Sequence, residues 1–208
     1  MERTFRILGL AGALALLSYT AMVVFSPIAY PCYDWMTMAV SELSADGAPS
    51  RALATQLNAL FGPCSVVSAT LVFIASKKSE VRLFRFGIAC FMAMEWICAA
   101  GYEMFPWVSG ADGMCFQNVM HLAVTVAVVV LSLASLIMIV FSSRRAGVSS
   151  LGKWALAALI MMIAGPIGTA LMPPSVFGLF ERFSTFSAVI FNAVLGIYLF
   201  RGSMDRLK

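Results

Sequence analysis

Residues 32–51 read CYDWMTMAVSELSADGAPSR, and this polar stretch between two long apolar runs decides how the chain is divided. It carries three of the ten acidic residues, Asp34, Glu42 and Asp46. Asp34 is placed to cap a helix, and Trp35, Met36, Ala39, Val40 and Leu43 recur at helical spacing, so a short helix lying in a membrane interface is expected here. Residues 45–49, ADGAP, then end it as a turn.

Working outward, the preceding apolar run covers about residues 7–29 and the following one about 52–75. Four more lie at about 84–105, 117–141, 154–172 and 184–200. Each is long enough to cross about 30 Å of hydrocarbon as a helix. The chain is 61% hydrophobic and 12% charged with a mean hydropathy of +0.92, against about 25% charged in a soluble domain. These features predict an all-α polytopic membrane protein, a bundle of six transmembrane helices forming one domain over residues 1–208. The first run is too long for the apolar core of a signal peptide, and five others follow it, so it is expected to remain as a span.

Charge sets the expected orientation. Twelve of the fourteen basic residues fall at the N-terminus, in the second and fourth connections and at the C-terminus, all but Arg51 and Arg182. The other three loops hold six acids, Asp34, Glu42, Asp46, Glu103, Asp112 and Glu181. The positive-inside rule then predicts a multi-pass protein of the cell membrane with both termini cytoplasmic and the acidic loops outward. The basic excess reports orientation rather than nucleic-acid binding. Five cysteines form no C-x-x-C pair, and the one His completes no zinc set with them, so no metal or other cofactor is expected. Cys32 and Cys115 fall in loops on the same side, where an oxidising environment would allow a disulfide.

Alternation of the spans brings Ser41, Glu42, Asp46, His121, Glu181 and Arg182 to one face. Arg182, one of only two cations there, is expected to pair with Glu42 or Asp46, either as a clamp between the first and last hairpins or as part of a ligand site. Ser41, His121 and a carboxylate are the residue types of a nucleophilic triad, although no G-x-S-x-G elbow surrounds Ser41. His121 with Glu42, Asp46 or Glu103 would alternatively offer ligands to a hard divalent cation, without helical ligand spacing. Within the spans, Glu95 is costly to ionise and needs a protonated state or an interior partner, with Asn58, Thr169 and Asn192 as candidates. Asn58, Gly62, Ser65 and Ala69 form a small and polar stripe suited to close helix packing, within one chain or between chains.

Three segments carry a family resemblance: YDWMTMAVSELSADGAP after the first span, YEMFP followed by the His of NVMHLAV, and GLFERF before the last span. In order and spacing they resemble the bacterial and archaeal six-span family known as domain of unknown function 998. The resemblance implies a six-helix membrane fold and an outward cluster of Ser41, Glu42, Pro106, His121, Glu181 and Arg182. Tyr102 and Glu103 stand where smaller or apolar residues are expected, and only Asp112 is available as the acid expected after Pro106. The reading favoured at this point is binding of a membrane lipid headgroup or small amphiphile at the outward cluster. A proton-coupled or small-molecule transporter using Glu95 and an intramembrane hydrolase using Ser41 and His121 are the alternatives.

Overall fold

A computed structural model describes residues 2–108 and 115–208 of the chain. Among the described residues the structure is helical, with no strand beyond one isolated bridge between Asp46 and Val108. Six helical segments are long and apolar enough to cross a membrane. The first comprises α1 (Arg3–Leu8) and α2 (Ala11–Phe25), and the second α3 (Arg51–Asn58) and α4 (Phe61–Ser76). The other four are α5 (Arg82–Met104), α6 (Phe116–Ser142), α7 (Ser149–Leu171) and α8 (Phe177–Phe200). The chain is a multi-pass, six-helix membrane protein.

The step between α3 and α4 has a local cause. Pro63 has no N–H to give the carbonyl of Ala59, so the regular ladder lapses there. Ser18 of α2 turns the lapse to use, its hydroxyl donating to the Leu57 carbonyl at 2.6 Å. Similar serine braces join other helices: Ser135 of α6 donates to Gly87 O of α5 at 2.8 Å, and Ser187 of α8 to Ala158 O of α7 at 2.6 Å. In hydrocarbon, where apolar surfaces gain nothing by meeting each other, such bonds and close packing hold helices together.

Spans two to six contact one another in chain order, and the sixth returns to the second. The first span packs on both of these. Closure there depends on glycine. Gly9 and Gly196 bring the backbones of the first and sixth spans into contact, and a Cβ at either would meet the other's carbonyl oxygen. Gly12 does the same against Ser68 Oγ and the carbonyl of Asn192. The larger core lies among α4 to α8 and includes Phe84, Phe91, Ile139, Leu151, Met162, Phe191 and Leu195.

At the face carrying both described ends of the chain, the C-terminal tail stitches three segments together. Asp205 accepts from Arg6 Nη2 at 2.6 Å and from Lys78 Nζ at 3.2 Å. The Lys208 carbonyl accepts from Ser79 Oγ at 2.7 Å and from Glu80 N at 3.0 Å, while Lys208 N donates to Ala146 O at 3.2 Å. The Arg6 hydrogen bond, before the Lys78 contacts, holds the Asp205 carboxyl down at about 2. A carboxyl depressed in the folded state contributes stability that is present above its unfolded value near 4 and is lost as pH falls through the folded value. The Tm difference between the parent and Asp205→Asn is therefore expected to be constant above about pH 4 and to vanish by about pH 2. A difference that persists at the acid end would show that the clasp does not depend on this charge.

Candidate functional site

The stretch of residues 32–51 does not form the expected α-helix. Its regular element is a single 3-10 turn, Val40–Ser44, preceded by an irregular segment that turns around Asp34. Asp34 Oδ1 accepts from Met36 N at 3.0 Å and Asp34 Oδ2 from Thr37 Oγ1 at 3.0 Å. The i, i+3 spacing of Val40 and Leu43 suits a 3-10 turn as well as an α-helix. Both side chains are buried, packed with Tyr19, Met22, Ala54 and Val189. At about 1.5–3 kcal/mol per buried aliphatic side chain, the turn is part of the bundle's end rather than a mobile cover.

An irregular segment at the end of a membrane bundle must find partners for its backbone. Here α8 supplies them. It starts at Phe177, several residues earlier than the apolar run, so Glu181 and Arg182 occupy its first two turns rather than a loop. Arg182 Nη1 donates to the carbonyls of Trp35 at 2.9 Å, Met38 at 3.1 Å and Gly178 at 2.7 Å. Its Nη2 donates to Tyr33 Oη at 2.7 Å, and Tyr33 Oη donates onward to Ala39 O at 2.9 Å. Glu181 Oε2 accepts from Val40 N at 3.2 Å, and Glu42 Oε1 from Ala39 N at 3.2 Å. Adjacent opposite charges on one helix thus take the two kinds of backbone group, the arginine the carbonyls and the acid an amide. Gly178 makes this approach possible, because a Cβ there would collide with the carbonyls of Met38 and Trp35.

The expected pairing of Arg182 with Glu42 or Asp46 is therefore not found. Asp46 pairs instead with Arg51 at 2.5 Å, and its backbone N–H donates to Trp107 O at 2.8 Å. Among the described residues no carboxylate forms a salt bridge with Arg182.

His121 belongs to a second, neighbouring cluster. It is buried on α6, with Nδ1 2.8 Å from the Phe105 carbonyl and its ring between Tyr102 and Trp107. A carbonyl only accepts, so Nδ1 carries the proton and a neutral ring keeps its lone pair on Nε2. One turn back on the same face, Asn118 accepts from Val108 N at 2.9 Å and donates to Val108 O at 3.2 Å. The two clusters meet through Asp46, which bonds Trp107 O and bridges Val108. Ser41 makes no hydrogen bond with His121 among the described residues, and the group orienting His121 is a carbonyl rather than a carboxylate. The triad is not assembled. Nor does any group of three His, Cys, Asp or Glu side chains gather to ligate a metal among the described residues. Cys32 and Cys115 are both free, and Asp112 lies outside the described residues.

Tyr33, Trp35, Asn118 and Gly178 complete these clusters; all four lie in the segments that carry the family resemblance, but none was named as a site residue. Burial raises the Tyr33 phenol above its ordinary value, outweighing the opposing pull of Arg182, so the hydroxyl stays neutral and able to donate. Tyr33, Trp35 and Arg182 form one wall of a groove of about 330 Å³ whose other wall is Val23, Val24 and Pro27. The groove is apolar along the side of α2 and cationic at the end nearest α8.

Within the spans, the Glu95 carboxyl lies against Ser65 and Asn192, one of the three partners expected for it. Of the other two, Asn58 keeps a buried Oδ1 with no partner among the described residues, and Thr169 bonds the Pro166 carbonyl of its own helix at 3.1 Å.

Residues 11–198 match the model of a family described as "Protein of unknown function (DUF998)". None of the curated proteins and none of the solved structures matches the chain.

Proposed function

The chain belongs to the DUF998 family, whose description assigns no activity, and from its own geometry we propose that it binds an amphiphile with an anionic headgroup in the groove between α2 and the loop held by Arg182. One observation carries the reading. A guanidinium that forms no salt bridge with a carboxylate among the described residues stands at the end of a groove whose other wall is aliphatic and partly exposed. Val24 and Trp35 are both more than half exposed, as expected for walls offered to lipid. Arg182 uses Nη1 and part of Nη2 on the loop, which leaves Nε–H and one Nη2 hydrogen to meet an anionic oxygen. In this reading the acyl chain lies along Val23, Val24 and Pro27, and the same residue that latches the loop marks the headgroup end. Glu42 and Glu181 act behind the groove by holding the amides of Ala39 and Val40 in the turn that contains Ser41, and Asp46 and His121 hold the neighbouring residues Trp107 and Phe105. The protein sits in the cell membrane with its basic end cytoplasmic, supported by the bias of basic residues toward that end.

The test leaves the latch intact. Val24→Trp fills the groove from α2 and removes none of the groups that Arg182 bonds. Native mass spectrometry of the parent is expected to show an anionic lipid retained one to one, and Val24→Trp to lose it at unchanged Tm. Equal retention by both proteins, or no retained lipid in the parent, would refute the site.

A further inference from the structure

A third polar cluster lies inside the bundle, remote in kind from the two at its end. Glu95 of α5 is 3% exposed, Ser65 of α4 1% and Asn192 of α8 1%. Ser65 Oγ lies within reach of both the Gly62 carbonyl, at 3.2 Å, and the Glu95 carboxyl, and its one hydrogen serves only one of them at a time. Asn192 Nδ2 donates to Ser65 O at 3.1 Å, which turns the amide so that Oδ1, a pure acceptor, is left buried without a partner. Ser68 Oγ, one turn from Ser65 on the same face, is likewise buried and unpartnered among the described residues. With Glu95 ionised the cluster holds few donors against these acceptors, chiefly the second Nδ2 hydrogen of Asn192 and the Ser65 and Ser68 hydroxyls, and with Glu95 protonated the carboxyl adds one O–H of its own.

No Lys, Arg or His forms an ion pair with Glu95 among the described residues. Among the described residues, the Cys98 thiol on the same helix is the other titratable group that interacts with Glu95. The cluster is thus a set of hard oxygen atoms from three helices that lacks a positive centre. One carboxylate balances one positive charge, whereas a divalent ion would leave an uncompensated charge in the hydrocarbon. Carboxyl, hydroxyl and amide oxygens suit a hard cation.

We propose that Glu95, Ser65 and Asn192 form an intramembrane site for one small monovalent cation, sodium, which takes the place of the proton on Glu95. Charge and atoms balance as an exchange: the sodium ion binds the carboxylate, and the carboxyl proton leaves to water. The site does not depend on the groove reading, since no residue is shared between the two.

The experiment uses the full chain in detergent at neutral pH in weak buffer with an indicator dye. Sodium chloride is expected to release about one proton per chain and to raise the Tm, while potassium and choline chlorides at equal ionic strength do neither. Glu95→Gln abolishes both responses. Ser65→Ala keeps the carboxyl and raises the half-saturating sodium concentration by about tenfold, and it decides the matter alone if Glu95→Gln does not fold. The proposal fails if sodium and choline act alike, if the variants respond as the parent does, or if the parent shows neither sodium-specific proton release nor a sodium-specific rise in Tm. Glu95 is then a protonated staple between α4, α5 and α8.

Discussion

Arg182→Met is expected to melt well below the parent, with the loop of residues 33–45 losing its protection from amide hydrogen exchange. The guanidinium holds three backbone carbonyls and the Tyr33 hydroxyl together, and methionine fills a similar volume while offering no donor. A hydrogen bond to a charged group is worth about 1.5–3 kcal/mol. At the end of the bundle water can re-satisfy some of the freed carbonyls, so the expected loss is that of one or two such bonds, about 1.5–6 kcal/mol, rather than of all four. Arg182→Lys should fall between parent and Met, because a point ammonium cannot span the same fork of acceptors. Exchange at Val40 gives an independent reading, since its N–H is held by Glu181 rather than by Arg182. If Arg182→Met leaves both the Tm and the exchange of this segment unchanged, the latch has no energetic weight.

The second large effect is expected at Gly196. Even a methyl group there would meet the carbonyl of Gly9, a rigid backbone atom, so the first and sixth spans must separate. Overpacking of this kind costs about 1–3 kcal/mol and more when backbone must move. Gly196→Val is therefore expected to reduce the yield of folded protein severely, and Gly196→Ala to lower the Tm. Gly62→Ala is the matched control: its Cβ meets only Ala99 Cβ at 3.7 Å, and the added helix propensity of about 0.5–1 kcal/mol favours it. Equal Tm values for Gly196→Ala and Gly62→Ala would show that the contact between the first and sixth spans has slack.

The six spans were legible because runs of some twenty apolar residues have few other uses, and Glu181 and Arg182 stood out as charges beside such a run. What they bind was not legible. Counting charges pairs an arginine with acids, but the orphaned groups at this end of the bundle are carbonyls and amides, which every residue carries and no composition reveals. The helix expected over residues 35–43 failed for the same reason: Val40 and Leu43 marked the buried side correctly, yet the backbone between Tyr33 and Ala39 had been claimed by α8. Asn118 was missed altogether. Its amide reproduces a strand-like pair of bonds to Val108, and nothing in the local sequence distinguishes it from a polar residue at a helix start. Glu95 was recognised as needing a partner, and Asn192 was among those named, because a carboxyl in hydrocarbon leaves few options.

The distance along the chain between the latch and what it holds also bears on how the protein is made. Val40 and Glu181 are 141 residues apart, and Tyr33 and Arg182 are 149 apart. Contacts of such separation form late, after the entropy of closing a long loop has been spent. Through the insertion of the second, third, fourth and fifth helices, the segment following the first must remain hydrated at the membrane surface, its carbonyls and amides served by water. It can dry and lock only when α8 arrives, so the same event completes the bundle, seals its mouth and creates the groove. A nascent chain paused after Leu171 has every earlier span in place and no groove.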